Sequence, residues 1–569
     1  MLATLSRKLP FGFSLALLLL LLAPGKALAA DCAAMRNLRL PHVEIILATP
    51  VEGTFNEDTA AERAGRTYYN LPKFCRIRGI SRPVAGSEIG FEIWMPVDNW
   101  TGRIHMVGNG AYHSNIHYME MAPRLKEGDV AVGTNAGHSG TNLKFGWRNP
   151  QKIADFGYRA VHESIVAAKT VVAAYYGRAA RWSYFAGCST GGMQAMSETQ
   201  RYPEDFDGVI AGAPGNNRSA LTMSFLWAYL ANHRAGQDDK PILSLNDLLL
   251  LNRAIIAGCD DVDGVHDGVI ADPRRCRFRT ASLLCRKDSA PGTCLTGEQI
   301  AAADKIYAGP KDSRTGRQIY PGLTLGSEGV RADAKDSTPG WTDFLAGDRP
   351  TEPARADIFR YWVYDDPQWN WWKFDWGKDV DRVTATLGPL FDANNPDISR
   401  FAARGGKLMM YIGWQDPIGS AGEAINYYQA VEDLQRGATT DQRRAAAQRF
   451  LRLFMVPGMA HCSGGPGATN KSSSEMGSTP PASDRAHDMT RAIEAWVEKG
   501  QAPTQIIATR YVAEVPEADK PKTPIAFQRP LCVYPQVAIY RGGPTNLASS
   551  FICKTPAVST VTRLSLTNK

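Results

Sequence analysis

Apolar residues recur along the chain in two spacings, and the alternation between them outlines the architecture. From Ile89 to Met95 and from Arg103 to Val107 they alternate or cluster as in strands, and the second run ends on the turn Gly108-Asn109-Gly110. Residues Phe156 to Tyr176 place apolar and alanine positions at helical spacing. Trp182 to Ala186 reads as a short buried strand that runs through Gly187-Cys188-Ser189-Thr190-Gly191-Gly192 into a helical stretch, Met193 to Gln200. After Val209-Ile210-Ala211 the pattern turns irregular, with cysteine-containing loops, many Pro and Gly, and the aromatic run Trp369, Trp371, Trp372, Phe374 and Trp376. Strand patterns return at Lys407 to Ile412 and Phe450 to Val456, each ahead of a glycine-containing turn, and a helix follows from Met489 to Lys499.

This order predicts an α/β fold: a mainly parallel sheet covered on both faces, whose ligand site lies beyond the carboxyl ends of the strands. The irregular stretch reads as an inserted lid domain. The expected organisation is a signal peptide over 1–29, a first part of the core over 30–215, the lid over 216–400 and a second part of the core over 401–569. The signal reading rests on Arg7 and Lys8, the apolar run Phe11 to Ala23 and the small residues Ala27-Leu28-Ala29. No later stretch has the roughly 18 unbroken apolar residues of a membrane span, so a secreted or periplasmic protein is expected.

Composition narrows the partners. The net charge of +7 includes Arg7, Lys8 and Lys26, and subtracting these three leaves +4. That excess is spread among acidic residues without a basic stripe, which argues against nucleic acid and against a membrane surface. No obligate protein partner is implied, and a small molecule is the expected partner. The Gly-, Ser- and Pro-rich run from Ser463 to Ser483 reads as a surface loop.

The chemistry sits at the strand ends. A serine hydroxyl near neutral pH needs a histidine to accept its proton and a carboxylate to orient that histidine. Ser189 lies in a Gly-x-Ser-x-Gly turn between strand and helix, Asp416 follows the Lys407 strand and His461 follows the Phe450 strand, and this order is the one found in α/β-hydrolases. Acyl transfer also builds an oxyanion; its expected donors are the amide of Thr190 and one from the turn after Val107, Gly110 first and Ala111 next. Cys188 and Cys462 directly adjoin Ser189 and His461, so a bridge between them staples the triad; two separate thiols are the alternative. Of the ten cysteines, Cys259 with Cys276, Cys285 with Cys294 and Cys532 with Cys553 are close enough to close short loops.

Two further groups carry candidate chemistry. The loop from Cys259 to Val269 packs carboxylates and glycines as oxygen-coordinated calcium loops do, with Asp260, Asp263 and Asp267 as side-chain ligands, the carbonyls of Val265 and Val269 completing the cage, and His266 pointing away. A structural Ca2+ is the one cofactor expected. His113 and His117 have the spacing of zinc ligands but no adjoining acidic or Cys partner, and are set aside. The tryptophan run from 369 to 376 is either lid core or an aromatic wall for an aromatic acyl group. Asn99, Asn217 and Asn470 open glycosylation sequons.

At Asp155-Phe156-Gly157-Tyr158-Arg159, Gly187-Cys188-Ser189-Thr190-Gly191-Gly192, Arg201-Tyr202-Pro203-Glu204-Asp205-Phe206-Asp207-Gly208 and Gly458-Met459-Ala460-His461-Cys462, the chain resembles the tannase and feruloyl esterase family over roughly residues 30 to 555. The resemblance implies an α/β-hydrolase core with a large lid, hydrolysis of gallic or hydroxycinnamic acid esters, and a lid-bound calcium. By motif it puts the triad on Ser189, Asp416 and His461, the linking disulfide on Cys188 and Cys462, and the calcium on Asp260, Asp263, Val265, Asp267 and Val269. It also implies a pairing of Cys32 with Cys75. Ala111 departs from the further glycine that relatives often carry after Gly-Asn-Gly. The esterase that acts on mono(2-hydroxyethyl) terephthalate looks like a member of the same family, so terephthalate monoesters are the alternative substrates. A calcium-dependent polyphenol or glycan binder without turnover is the alternative outside enzymes.

Overall fold

The computed structural model describes residues 31–57, 65–329, 340–341, 351–474, 478–513 and 522–556; the signal peptide expected at 1–29 lies outside them. Nine strands build one sheet: β1 (Val43–Asn56), β2 (Thr67–Ser81), β3 (Ile89–Pro96), β4 (Arg103–Val107), β5 (Val130–Thr134), β6 (Trp182–Cys188), β7 (Gly208–Gly212), β8 (Lys407–Gly413) and β9 (Leu451–Val456). Their order across the sheet is β1-β2-β3-β5-β4-β6-β7-β8-β9. The pairings β1–β2, β2–β3 and β3–β5 are antiparallel, and the five from β5 through β4 to β9 are parallel.

The parallel strands are almost continuously apolar because both of their faces are covered. On β8 and β9, Leu408, Met410, Leu451 and Leu453 join the core that holds the helices Ala160–Tyr176 and Ala421–Asp433. The alternate residues Met409, Tyr411, Phe454 and Val456 join the core beneath the helix Met489–Lys499 and the hairpin of β10 (Gln505–Tyr511) with β11 (Ile525–Cys532). The period-two alternation thus assigns each side chain to one of two layers. A last hairpin pairs β12 (Val537–Tyr540) with β13 (Phe551–Lys554).

Between Gly212 and Lys407 the chain leaves the sheet, and the stretch whose apolar pattern is irregular holds several helices. Among the described residues its longer helices are Arg218–Asn232, Leu245–Cys259, Gly297–Ala308 and Lys378–Phe391. Capping boxes open the second and third, Ser244 with Asp247 and Thr296 with Gln299, and satisfy amides that a helix start leaves free. The insertion has an apolar core of its own around Leu248, Leu251, Ile255, Ile300 and Ile306. A second core, with Leu221, Phe225, Phe359, Trp362 and Phe391, includes Tyr112 and Met193 and so docks the insertion onto the carboxyl ends of the strands.

The surface loop expected from Ser463 to Ser483 is corrected. Ala468 to Ser472, Ser474 and Ser478 are buried, with the Asn470 amide and carbonyl paired to Thr509. Gly467 permits the close approach at the start of this segment, since a Cβ there would come within 2.0 Å of the Pro457 carbonyl oxygen. Among the described residues no helix is long and apolar enough to cross a membrane.

Candidate active site

Strand β6 delivers Ser189 into a sharp turn. Its φ of 61° and ψ of −116° put a non-glycine residue in a region L-residues rarely adopt, held by Ser189 N donating to the Gly212 carbonyl at 3.0 Å and by Met193 N donating to the Ser189 carbonyl at 2.9 Å. The helix Thr190–Arg201 starts at once, three residues before its apolar periodicity begins. The glycines around it serve close packing: a Cβ on Gly187 would come within 2.7 Å of the Gly191 Cα, and one on Gly108 within 2.6 Å of the same atom. The turn is therefore pressed against the loop that follows β4.

The expected acid and base, Asp416 and His461, follow β8 and β9. Asp416 is 1 % exposed, and one of its oxygens accepts the amides of Ile418 at 2.8 Å and Gly419 at 3.0 Å. The other oxygen meets Nδ1 of His461 at 2.8 Å. Nε2 of His461 is buried and has no hydrogen-bond partner among the described residues. Cys188 and Cys462 are joined by a disulfide with a Cα–Cα separation of 5.9 Å, so the residue before Ser189 and the residue after His461 are covalently linked. The remaining bridges are Cys32–Cys75, Cys259–Cys276, Cys285–Cys294 and Cys532–Cys553.

The expected oxyanion donors lie in two adjoining segments. Among the described residues the amides of Thr190, Gly110 and Ala111 have no backbone acceptor. The two segments are stitched together: Gly191 N donates to the Asn109 carbonyl at 2.7 Å, Asn109 N donates to Gln194 Oε1 at 3.0 Å, and the Thr190 hydroxyl donates to the Ala111 carbonyl at 2.5 Å. Ala111 takes a φ of 47°, the left-handed conformation a further glycine would adopt without strain. Above this turn Tyr112 stacks on Phe156 at 5.1 Å and meets the edge of Trp362 at 6.0 Å. The guanidinium groups of Arg218 and Arg355 lie over the Tyr112 ring at 4.9 and 5.1 Å. Burial holds Arg355 below its usual value, with repulsion from Arg218 adding to the effect, and among the described residues it forms no ion pair.

Several residues in this arrangement are invisible to sequence reasoning. Arg218, Arg355, Gln194 and Lys471 act through contacts across the fold, and no local motif announces them. Lys471 is buried inside the supposed loop, where its ammonium donates to the Cys462 carbonyl at 3.3 Å and lies 4.2 Å from the Tyr411 ring. The tryptophan run 369–376 is packing within the insertion: Trp369 stacks on Phe359, Trp376 meets Trp227 edge-on, and the indoles of Trp371 and Trp372 donate to Asp238. His117 lies 3.6 Å from Glu120, an acidic neighbour the spacing argument overlooked, because one helical turn brings them together. Asn99 is exposed, whereas Asn470 is buried and paired, which removes it as a glycosylation site.

The acidic loop is all-oxygen in its donors, which suits a hard cation. Asp260 accepts the amides of Asp267, Gly268 and Val269, Asp263 accepts that of Val265, and Asp267 pairs with Arg529 of β11 at 2.5 Å. Burial pushes Asp263 up to about 6, with the charge of Asp267 adding to the effect and the Val265 amide and Arg529 opposing it. The three carboxylates do not converge within 4.8 Å; among the described residues only His105, Asp129 and Glu494 do so. His266 differs from expectation: its Nδ1 lies 3.1 Å from Asp260 and 3.2 Å from Asp261, drawn in by two carboxylates.

Sheet order, insertion and strand-end site define an α/β-hydrolase fold. A sequence profile of the family described as tannase and feruloyl esterase matches residues 75–554. An uncharacterized esterase of Xanthomonas campestris is 36 % identical over 548 residues, spanning 92 % of this chain and 91 % of that protein. A protein of Aspergillus terreus named probable feruloyl esterase B-2 is 31 % identical over 533 residues, spanning 92 % and 94 %. Among solved structures, feruloyl esterase B from Aspergillus oryzae is 27 % identical with a TM-score of 0.81, covering 92 % of this chain and 99 % of that one. The tannin acyl hydrolase from Aspergillus niger, at 20 % identity, shares the fold with a TM-score of 0.69 over 93 % and 95 %. The chain belongs to the tannase and feruloyl esterase family, and it is a carboxylic ester hydrolase acting on small-molecule esters.

Proposed function

We propose that the chain hydrolyses esters of aromatic acids, of the hydroxycinnamic or gallic type, through an acyl-enzyme on Ser189. The observation that carries this reading is the ring of His461: Asp416 holds one nitrogen, the other is buried without a partner among the described residues, and the Cys188–Cys462 bond draws the ring beside the turn that bears Ser189. Ser189 Oγ attacks the ester carbonyl as His461 Nε2 takes its proton. The carbonyl oxygen, now negative, accepts hydrogen bonds from the amides of Thr190 and of the Gly110–Ala111 turn. Collapse expels the alcohol, which leaves with the proton from His461. Water, deprotonated by His461, then releases the acid from Ser189. The wall of Tyr112, Phe156 and Trp362 supports an aromatic acyl group.

A second reading is favoured by Arg355. A half-buried guanidinium that has no acidic partner among the described residues, next to this aromatic wall, suits an acyl group with a carboxylate at its far end, as in a terephthalate monoester. Calcium is assigned to the loop of Asp260, Asp263, Val265, Asp267 and Val269, where it supplies positive charge and cross-links oxygens. Secretion is supported by the N-terminal pattern and the five disulfides.

A panel of methyl ferulate, methyl gallate, chlorogenate and a terephthalate monoester tests the proposal. Wild type is expected to cleave at least one of them, and Ser189→Ala to lose about three orders of magnitude or more in kcat. Equal turnover by both proteins sinks the acyl-enzyme and leaves the binder reading. Arg355→Gln divides the substrates: a selective loss of about tenfold on the terephthalate monoester supports the second reading, and a uniform effect removes it.

A further inference from the structure

One arginine of the insertion reaches into the core beside the nucleophile. Arg218, 7 % exposed, opens the helix Arg218–Asn232, and its Nη2 donates to the Thr190 hydroxyl at 3.1 Å while its Nε donates to the Tyr112 hydroxyl at 3.2 Å. The Thr190 hydroxyl has one proton, and it is spent on the Ala111 carbonyl. Thr190 is fully buried, so water does not compete for these bonds. A relay therefore runs from Arg218 through the Thr190 side chain to Ala111, and it ties together the two backbone segments whose amides face the carbonyl oxygen in the mechanism above.

We propose that Arg218 and the Thr190 hydroxyl are positioning residues that fix the spacing of the two oxyanion donors, so that seating of the insertion sets the efficiency of acyl transfer. The relay rests on the acyl-enzyme reading and adds a role for side chains that touch no reacting atom. Oxyanion donors act by preorganisation: they must already sit about 3 Å from where charge develops, and misplacement raises the barrier without weakening ground-state binding. The left-handed Ala111 has no glycine freedom to relax into and depends on such a hold. Tyr112 extends the relay, since it follows Ala111 directly and is gripped by the same guanidinium through its hydroxyl and its ring.

The test uses p-nitrophenyl acetate, whose small acyl group reads the donors and not the aromatic wall, with wild type, Ser189→Ala, Thr190→Val, Thr190→Ser, Arg218→Gln and the double variant Thr190→Val/Arg218→Gln. Thr190→Val keeps shape and amide but removes the relay, and is expected to lower kcat by roughly ten- to a hundredfold with KM within about threefold. Thr190→Ser restores the hydroxyl and is expected to stay within about threefold of wild type. Arg218→Gln falls between them, and the double variant is no worse than Thr190→Val alone, because both changes cut one relay. A boronic acid that mimics the tetrahedral adduct weakens in step with kcat. Unchanged kcat in Thr190→Val, a loss confined to KM, or additive losses in the double variant overturn the relay. Should Thr190→Val not fold, Arg218→Gln carries the same readout. Turnover equal in wild type and Ser189→Ala overturns the acyl-enzyme reading and the relay together, whereas a dead Ser189→Ala beside a fully active Thr190→Val overturns the relay alone.

Discussion

Glu423 stands in the first turn of the helix Ala421–Asp433, 8 % exposed, and burial pushes its carboxyl up to about 7, with Asp392 adding repulsion and Asn217 and Asn426 opposing it through hydrogen bonds. In the unfolded chain the same group titrates near 4.3. The folded state therefore holds the proton more tightly, and the stability this confers is fully present below about 4.3 and lost as pH rises through 7. Glu423→Gln, which stays neutral, is expected to melt close to wild type at pH 5 and about two degrees higher at pH 8.5, a gain on the order of 2 kcal/mol. Equal melting at both values removes the argument. The comparison also shows what a single residue discloses in sequence. The contact of Asp416 with His461 and the bridge that brings Cys462 to Cys188 were legible because each partner follows a strand pattern and its own turn. Gln194 and Arg218 were not, because the partners that give them meaning, Asn109 and Thr190, lie 85 and 28 positions away.

The staple belongs to the scale of elements. In the sheet β6 and β9 are separated by β7 and β8, so the Cys188–Cys462 bond spans two strands at the carboxyl edge and closes a sequence separation of 274. The loop after β9 has other anchors, among them Lys471 on the Cys462 carbonyl and Gly458 N on Gln415, and the ladder beneath it does not depend on the bridge. Replacing both cysteines by alanine is therefore expected to leave far-UV circular dichroism unchanged while kcat falls by roughly ten- to a hundredfold, as the base loses its fixed distance from Ser189. Full activity without the bridge contradicts that role. Elements differ in legibility for a related reason. Strands β3, β4, β6, β8 and β9 were read to within a few residues because they are compact apolar runs, whereas β5 and β7, equally buried, are too short to stand out. Strands β1 and β2 escaped notice: Pro50, Gly53 and Pro72 punctuate them and bulges break their register, which β1 tolerates as the edge strand and β2 tolerates at Pro72 because its ladder with β3 begins only at Phe74.

At the scale of the whole molecule, the helices of the insertion were the largest part not legible, although Leu245–Cys259 and its Ser-x-x-Asp start carry a readable signal that the surrounding Pro, Gly and Cys obscured. Those helices pack on two apolar cores and reach the hydrolase core at a few points, where Trp362 donates to the Leu143 carbonyl and Ser420 to the Gly322 carbonyl. The acidic loop is another. It follows the helix Leu245–Cys259, is closed by Cys259–Cys276, and meets β11 through Asp267 and Arg529. Calcium bound there would tie insertion to core and touch no part of the triad. A cation present at about a hundredfold its Kd adds about 2.7 kcal/mol to the folded state, a shift of a few degrees in a protein of this size. EDTA is thus expected to lower Tm by that amount while the initial rate at 25 °C stays within about twofold, and excess Ca2+, unlike the smaller and more reluctantly dehydrated Mg2+, to restore the melting point. Melting that ignores the chelator removes calcium from the loop; a rate that falls before Tm moves makes the insertion part of the catalytic step.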